Sequence, residues 1–451
     1  MRVAVLVALI SFVVYMGSLR TIQSIDSNTN ALLAYSLVRD RDVYLDEFAD
    51  TRQRISYWSF VVNGHEIAPY PPGTALLAVP FVAVGLLVGI EPPQTAAFTI
   101  VAKSAAALAA SASVGVVFLL AARVAGRRLA LVVAALYAFG TVTWPISAGA
   151  LWQHGPAQLF LALGLLMLYP RGERRWRARA GLAFGLATLC RLTDGAFALA
   201  ALFDVARQSP RLVPRFLLWA SPAVALLLVY DVLAFGRPID LGYLTFNYTK
   251  DGGGGNLLVG LAGNLIAPDR GLFVYSPFLI FGVYELIRLA IRRDRLGAFL
   301  RGQLVAASLV LVVYAASVDW WGGFGYGNRY LADALPLMSL GLAFWLRRMR
   351  ANLIARVALV AAGVWSVAVA ALGALVYDWA GWSWESLPGL TPQQQQWSLD
   401  PPQILYTALN AGARVDAATG VSLAFAGVAV LFFARLWLVS GERTRSRRPL
   451  R

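Results

Sequence analysis

The chain has 451 residues, of which 59% are hydrophobic and 14% charged. An ordinary soluble enzyme, with about a quarter of its residues charged, is excluded. A single cysteine and the absence of a short polar repeat exclude disulfide scaffolds and collagen-like or disordered chains. The mean hydropathy of +0.63 comes from long apolar blocks, which is the pattern of a polytopic, all-α membrane protein. The net charge of +15 does not mark a nucleic-acid binder. Most of the arginines fall in short clusters between apolar blocks, as the positive-inside rule requires of cytoplasmic loops. The Arg-, Ala-, Leu- and Val-rich composition is associated with GC-rich bacterial genomes, so the expected setting is a bacterial inner membrane.

In chain order, Val3 to Leu19 is an apolar run of about the minimum spanning length with no small-residue cleavage site after it. It reads as a retained anchor entering from the cytoplasm. Residues 20–98 form the first external region. Within it, Pro72 to Ile90 is apolar but carries Pro72 and Pro80 and ends at Glu91-Pro92-Pro93, poor features for a clean span. An interfacial or re-entrant segment there keeps every later Arg cluster on the cytoplasmic side. Helices then alternate: 99–121 inward, 128–146 outward and about 153–170 inward. Residues 180–206 form a broken pair of half-helices that returns to the same side, interrupted at Cys190-Arg191-Leu192-Thr193-Asp194. The sequence then predicts spans at 213–235, 273–290, 301–318, 330–346, 356–376 and 418–438, about ten in all. It divides into a catalytic region, 1–346, and a C-terminal region, 347–451, with an external loop at 377–417 and a cytoplasmic tail containing Arg443, Arg445, Arg447, Arg448 and Arg451. Both termini are then cytoplasmic, and the unusual residues collect outside.

Several external residues have two readings. Asp26, just beyond the first helix, is either a desolvated, basic carboxylate or part of an N-cap in which Asp or Ser opens the next helix. Arg191, at membrane depth, is a functional candidate by default; the plainer reading is an ion pair with Asp194 three residues on. Lys103, at the external end of 99–121, either snorkels to the headgroups or pairs with a lipid phosphate. Arg329 ends the glycine- and aromatic-rich stretch Trp320 to Tyr330, a pattern shared by interfacial belts and by loops that approach a ligand closely. His65-Glu66 and Trp152-Gln153-His154 occupy other outer ends. Two histidines with Asp26 and Glu66 match no ligand spacing for a metal, and no cofactor is required. Asn247-Tyr248-Thr249 fits a glycosylation sequon, uninformative in a bacterial chain. Gly252 to Gly255 reads as a hinge, and Trp379, Trp382 and Trp384 as interfacial anchors.

Taken in order, these stretches resemble the bacterial membrane glycosyltransferases of the GT-C superfold, in their family 39-like or protein mannosyltransferase-like group. The matches are Asp26 with Ala31 to Leu37, Leu45-Asp46-Glu47-Phe48, Gly64-His65 with Tyr70-Pro71-Pro72-Gly73, Leu151 to His154, Leu189 to Thr193, Ala267 to Pro277, and Trp321-Gly322-Gly323 with Gly327 to Leu331. The resemblance implies a GT-C-like helical bundle and an inverting transfer of sugar from a polyprenyl-phosphate donor to a hydroxyl of a glycan, lipid or protein at the external face. It implies an acid in the first external loop as general base, which falls on Asp26. This chain has Asp26-Ser27 where many relatives have an Asp-Glu pair. The chemistry also needs cations for the departing phosphate, for which Arg191, Lys103 and Arg329 are candidates. His65, Glu66, Trp152, His154 and Asn328 are candidates for the sugar or acceptor pocket. The alternatives are a transporter or flippase, or a non-catalytic binder, of lipid-linked sugars.

Overall fold

The computed structural model describes residues 1–451 apart from 22–23, 52–55, 93–94, 170–173, 242–253, 324, 350–351, 378–389 and 446–451. Lys250, the sequon at Asn247, Gly252 and Gly253, the three tryptophans between 379 and 384, and Arg447, Arg448 and Arg451 therefore lie outside the described residues. The long helices are α1 (Arg2–Gly17), α2 (Ile25–Arg39), α3 (Gly73–Leu87), α4 (Thr95–Ala125), α5 (Arg127–Phe139), α6 (His154–Leu168), α7 (Arg174–Cys190), α8 (Gly195–Gln208), α9 (Val213–Phe235), α10 (Leu257–Ile266), α11 (Leu279–Ala290), α12 (Arg295–Ala315), α13 (Leu335–Met349), α14 (Leu353–Val376), a short α15 (Gln403–Leu409) and α16 (Ala417–Arg445). Among the described residues, five segments are both long and apolar enough to cross a bilayer: Ala96–Ala125 in α4, Pro210–Phe235 ending in α9, Arg295–Ala315 in α12, Leu353–Leu375 in α14 and Ala417–Val439 in α16. The chain is an integral membrane protein built as a helical bundle.

α4 is the centre of that bundle, packed by α1, α5, α6 and α13. Small residues let backbones approach where lipid gives no hydrophobic drive between helices. A Cβ on Gly181 of α7 would sit 2.1 Å from the Phe216 carbonyl oxygen of α9, so this crossing tolerates glycine alone. α3 spans 15 residues with Pro80 inside it, about 22 Å of helix against a hydrocarbon core of about 30 Å. It lies against α2 and α4. The break expected near residue 191 falls at Arg191–Asp194, but α7 begins at Arg174, so the first helix of the pair is longer than the half-helix expected from residue 180. The expected continuous helix 273–290 is interrupted, with a short turn at Leu272–Tyr275 before α11, because Pro277 has no amide hydrogen to donate. Likewise the helix foreseen at 128–146 stops at Phe139, and the backbone continues as a π turn, Thr143–Ser147, around Pro145.

One local feature went beyond the all-helical expectation. Phe60–Val62 and His65–Ile67 pair as an antiparallel hairpin. Its turn is Asn63-Gly64, both at positive φ (+53° and +86°), the two-residue geometry that matches the right-handed twist of paired strands.

One group of arginines gathers at one end. Arg123 donates to the Leu166 carbonyl (2.5 Å) and Arg347 to the Val124 carbonyl (3.1 Å), while Arg177 pairs with Asp204 (2.9 Å) and Arg348 with Glu285 (2.9 Å). These contacts bring the ends of α4, α6, α8, α11 and α13 together, with the start of α7. The opposite ends of α4, α6, α7 and α13 meet α2 and the 319–334 segment.

Candidate active site at the polar end of the bundle

α2 opens with a capping box: Ser24 accepts from the Ser27 amide and the Ser27 hydroxyl closes back on the Ser24 amide (2.9 Å). The cap is therefore Ser24, and Asp26 stands in the first turn with its carboxylate available to other elements. Tyr70, three residues before α3 and buried, donates its hydroxyl to Asp26 Oδ1 (2.5 Å). Arg329 donates through Nη1 to Asp26 Oδ2. The two chains come from positions 303 residues apart.

Arg329 is aimed by its surroundings. Its Nε donates to the Gly322 carbonyl (2.5 Å), and its guanidinium lies 4.6 Å from the Trp152 ring centre and 5.3 Å from that of Tyr330. Gly322 and Gly323 both have positive φ (+78° and +70°), so a side-chain-bearing residue at either would strain the loop that presents this carbonyl. Gly322, Gly323 and Tyr330 of this stretch thus serve the position of one arginine.

A second charged group is fully buried. Arg191 pairs with Asp333, and its Nη1 lies 3.1 Å from His154 Nδ1 and 3.4 Å from the Tyr330 carbonyl. The guanidinium stacks 4.6 Å from the Tyr314 ring centre. The simple expectation of an ion pair between Arg191 and Asp194 is corrected: the partner is Asp333, at the entrance to α13. Residue 191 is the extended cap of a 3-10 turn and its side chain leaves the local helix axis. Both carboxylate oxygens of Asp194, itself fully buried, lack a hydrogen-bond partner among the described residues. Buried polar atoms of this kind call for a ligand or water.

Tyr330 joins the two groups, following Arg329 in the chain and lending its carbonyl to Arg191. Asp26, Tyr70, Trp152, His154, Arg191, Arg329 and Asp333 accordingly form one site. Tyr70 appeared in the sequence only as part of a turn motif, and Asp333 went unnoticed. An acid at the mouth of an apolar helix, in Ala332-Asp333-Ala334-Leu335, is itself the signal that would have found it.

The remaining candidates sit apart. Lys103 is buried, and its ammonium donates to the Arg20 carbonyl beyond the end of α1. His65 pairs through Nδ1 with Asp46 Oδ2 (2.6 Å) and stacks on Tyr44. Glu66 accepts from Tyr57 (2.7 Å) and Ser59 (3.1 Å) across the hairpin. Desolvation tends to raise the Asp46 carboxyl, but the hydrogen bonds from His65 and the Glu66 amide outweigh it and hold it below the usual range. Asn328 donates to the Asn264 carbonyl (2.7 Å) and accepts from the Leu331 amide (3.0 Å), tying its loop to α10. Among the described residues no group of three or more His, Cys, Asp or Glu is gathered to hold a metal.

Behind the glycine loop, Gln403 of α15 is a hydrogen-bond hub. Its Oε1 accepts from Arg270 (2.8 Å), Tyr275 (2.8 Å) and the Gly327 amide (2.9 Å). Its own amide donates to Asp269 Oδ1 (2.5 Å), while Oδ2 has no partner among the described residues. Burial pushes the Asp269 carboxyl up to about 7, against the opposing pull of the Gln403 amide and Arg270. A raised folded-state pKa means that the folded protein holds more protons than the unfolded chain between roughly pH 4 and 7. Stability then falls as pH rises through that window, by at most about 1.4 kcal/mol per pH unit. Asp269→Asn is expected to flatten the dependence of Tm on pH between 4 and 7. A slope unchanged from the wild type refutes the assignment.

Tyr70→Phe provides a gentler probe of the carboxylate. It removes one hydrogen bond to a charged group, worth about 1.5–3 kcal/mol, without changing the ring that packs edge-on against Trp58. If Asp26 acts in chemistry, activity should fall by about tenfold or more. Wild-type activity in the variant places that hydrogen bond outside the mechanism.

The fold and site define a class: a membrane-embedded helical bundle with a charged aromatic cluster at one end. No protein-family model and no curated protein sequence matches the chain. Solved structures do. ArnT from Cupriavidus metallidurans bound to undecaprenyl phosphate superposes with a TM-score of 0.54, and the same protein in the apo state with 0.50. Each match has 16% identity and covers 96% of this chain and 76% of ArnT. The likeness is one of fold, along nearly the whole of this chain.

Proposed function

We propose that this protein is a membrane glycosyltransferase that moves a sugar from a polyprenyl-phosphate donor to a hydroxyl acceptor, with inversion at the anomeric carbon. The observation that carries this reading is the Asp26 carboxylate beside Arg329, one residue from the carbonyl that receives Arg191, at the end of an apolar bundle. A sugar transfer of this kind needs a base for the incoming hydroxyl and fixed positive charge for the outgoing phosphate. The site holds both in adjacent positions. The bound lipid of ArnT is itself a polyprenyl phosphate, so a bundle of this architecture accommodates such a chain. Placement in the family 39-like group rests on the order of the short motifs from Asp26 to Tyr330.

In this mechanism the acceptor hydroxyl donates to Asp26. Each carboxylate oxygen has two lone pairs, so the contacts from Tyr70 and Arg329 leave acceptor capacity. The proton passes to the carboxylate as the oxygen attacks the anomeric carbon from the face opposite the phosphate. The bond to the phosphate oxygen breaks, and its electrons leave with the polyprenyl phosphate. Arg329 and Arg191 stabilise that developing charge, the first at the partly open mouth and the second from its buried pair with Asp333. Trp152 and Tyr330, stacked on Arg329, hold that guanidinium in place, and the half-buried Tyr330 offers ring surface to a sugar.

Purified protein in lipid vesicles, supplied with a panel of radiolabelled polyprenyl-phosphate sugars and mixed hydroxyl acceptors, should transfer label from at least one donor. Label that moves between leaflets without changing carrier would replace this reading with a flippase. Donor binding with neither event would make the protein a lipid-linked-sugar binder.

A further inference from the structure

The cavity at the opposite end of the bundle plays no part in this chemistry. It is a half-open cleft with a volume of about 690 Å³, lined by the start of α7, the end of α8, the 209–212 turn and the start of α9. Four arginines line it: Arg175 and Arg179 from α7, and Arg211 and Arg215 from the turn and α9. Each pair is spaced i, i+4, so each presents two guanidiniums on one side of its element. Among the described residues no carboxylate forms an ion pair with Arg179, Arg211 or Arg215. Asp204 on α8 is already taken by Arg177 (2.9 Å) and by Gln208. Like charges gathered around one space repel, and an anion between them removes that cost.

The rest of the wall is Gln208 and Ser209 on one side and the apolar or aromatic Ala178, Pro210, Leu212 and Trp219. Arg179 stacks 5.6 Å from the Trp219 ring centre, a cation–π contact. From there α9 runs on with Leu217, Leu218, Val224 and Val229 outward, Leu218 being 70% exposed. In a spanning helix such a face lies against acyl chains. Charge, cavity and greasy face are continuous.

We infer that this cavity binds the headgroup of an anionic phospholipid, its phosphodiester held by Arg175, Arg179, Arg211 and Arg215 and its acyl chains lying along α9. Guanidinium forks match phosphate oxygens bidentately, and a basic pocket between helix ends is suited to such headgroups. The apolar wall distinguishes this ligand from free phosphate, which would gain nothing from Leu212 or Trp219.

The test uses the full chain in detergent, with native mass spectrometry and thermal melting in the presence of phosphatidylglycerol, phosphatidylcholine of the same acyl composition, or inorganic phosphate. Phosphatidylglycerol should form a persistent adduct and raise Tm, whereas phosphatidylcholine and millimolar phosphate should do neither. Arg211→Gln with Arg215→Gln should weaken phosphatidylglycerol binding about thirtyfold. Arg127→Gln with Arg293→Gln, an equal loss of charge at the same end outside the cavity, should leave binding intact. If the first pair prevents folding, Arg175→Gln with Arg179→Gln carries the same expectation. Equal binding by cavity variant and wild type overturns the inference, and so does equal loss in the control pair. An equal rise in Tm with inorganic phosphate alone makes the cavity a phosphate site and overturns the lipid assignment.

Discussion

Asp26→Asn is expected to lower turnover by a factor of about 10²–10⁴, the range that a positioned general base contributes, while leaving donor lipid binding close to that of the wild type. The substitution keeps an oxygen for the Tyr70 hydroxyl but replaces the acceptor facing Arg329 with a donor group. Arg329 is also held by the Gly322 carbonyl and by its packing on Trp152, so the site retains its shape when the carboxylate is lost. A drop in kcat at saturating donor, with KM nearly unchanged, is the signature of a group acting only in the transition state. Turnover equal to that of the wild type would remove Asp26 from the mechanism.

The second large effect is expected in stability. Arg191→Met leaves Asp333 buried beside His154 with its positive partner removed, and breaking a buried pair in this way costs about 3–5 kcal/mol. Arg191→Met with Asp333→Leu replaces both charges by apolar groups and should recover most of that loss, since a well-packed hydrophobic pair is often as stable as a buried ion pair. The double variant should nonetheless remain inactive if Arg191 stabilises the phosphate. Denaturant or thermal unfolding of the three proteins, read beside their transfer rates, separates the roles. A single variant as stable as the wild type would show that the pair is not structural. An active double variant would end the role of Arg191 in catalysis.

The Arg clusters, the prolines around 71–93 and the break at Arg191 were legible because each rests on a local rule. Charge asymmetry follows from the membrane, proline interrupts helical hydrogen bonding, and an arginine in an apolar run is costly unless it has work to do. Helix ends were less legible. α7 starts at Arg174, within the cluster read from sequence as a loop, because basic side chains at a helix end can extend to water while their backbone stays helical. The hairpin at 60–67 was also within reach, through Asn63-Gly64, had the turn pair been weighed above the apolar pattern around it.

Partners across the chain behave differently. Composition and hydropathy alone determined that this is a membrane-embedded helical bundle, and the short motifs singled out Asp26, Arg191 and Arg329 as candidates. Only the tertiary structure decided which groups these residues meet: Asp26 with Arg329 and Tyr70, and Arg191 with Asp333 and His154. It also decided that Lys103, His65, Glu66 and Asn328 are engaged elsewhere. The physical reason is range. Periodicity and punctuation report interactions within a few residues, whereas these ion pairs join positions 303 and 142 residues apart. Their geometry follows from how whole helices pack, which no local pattern records.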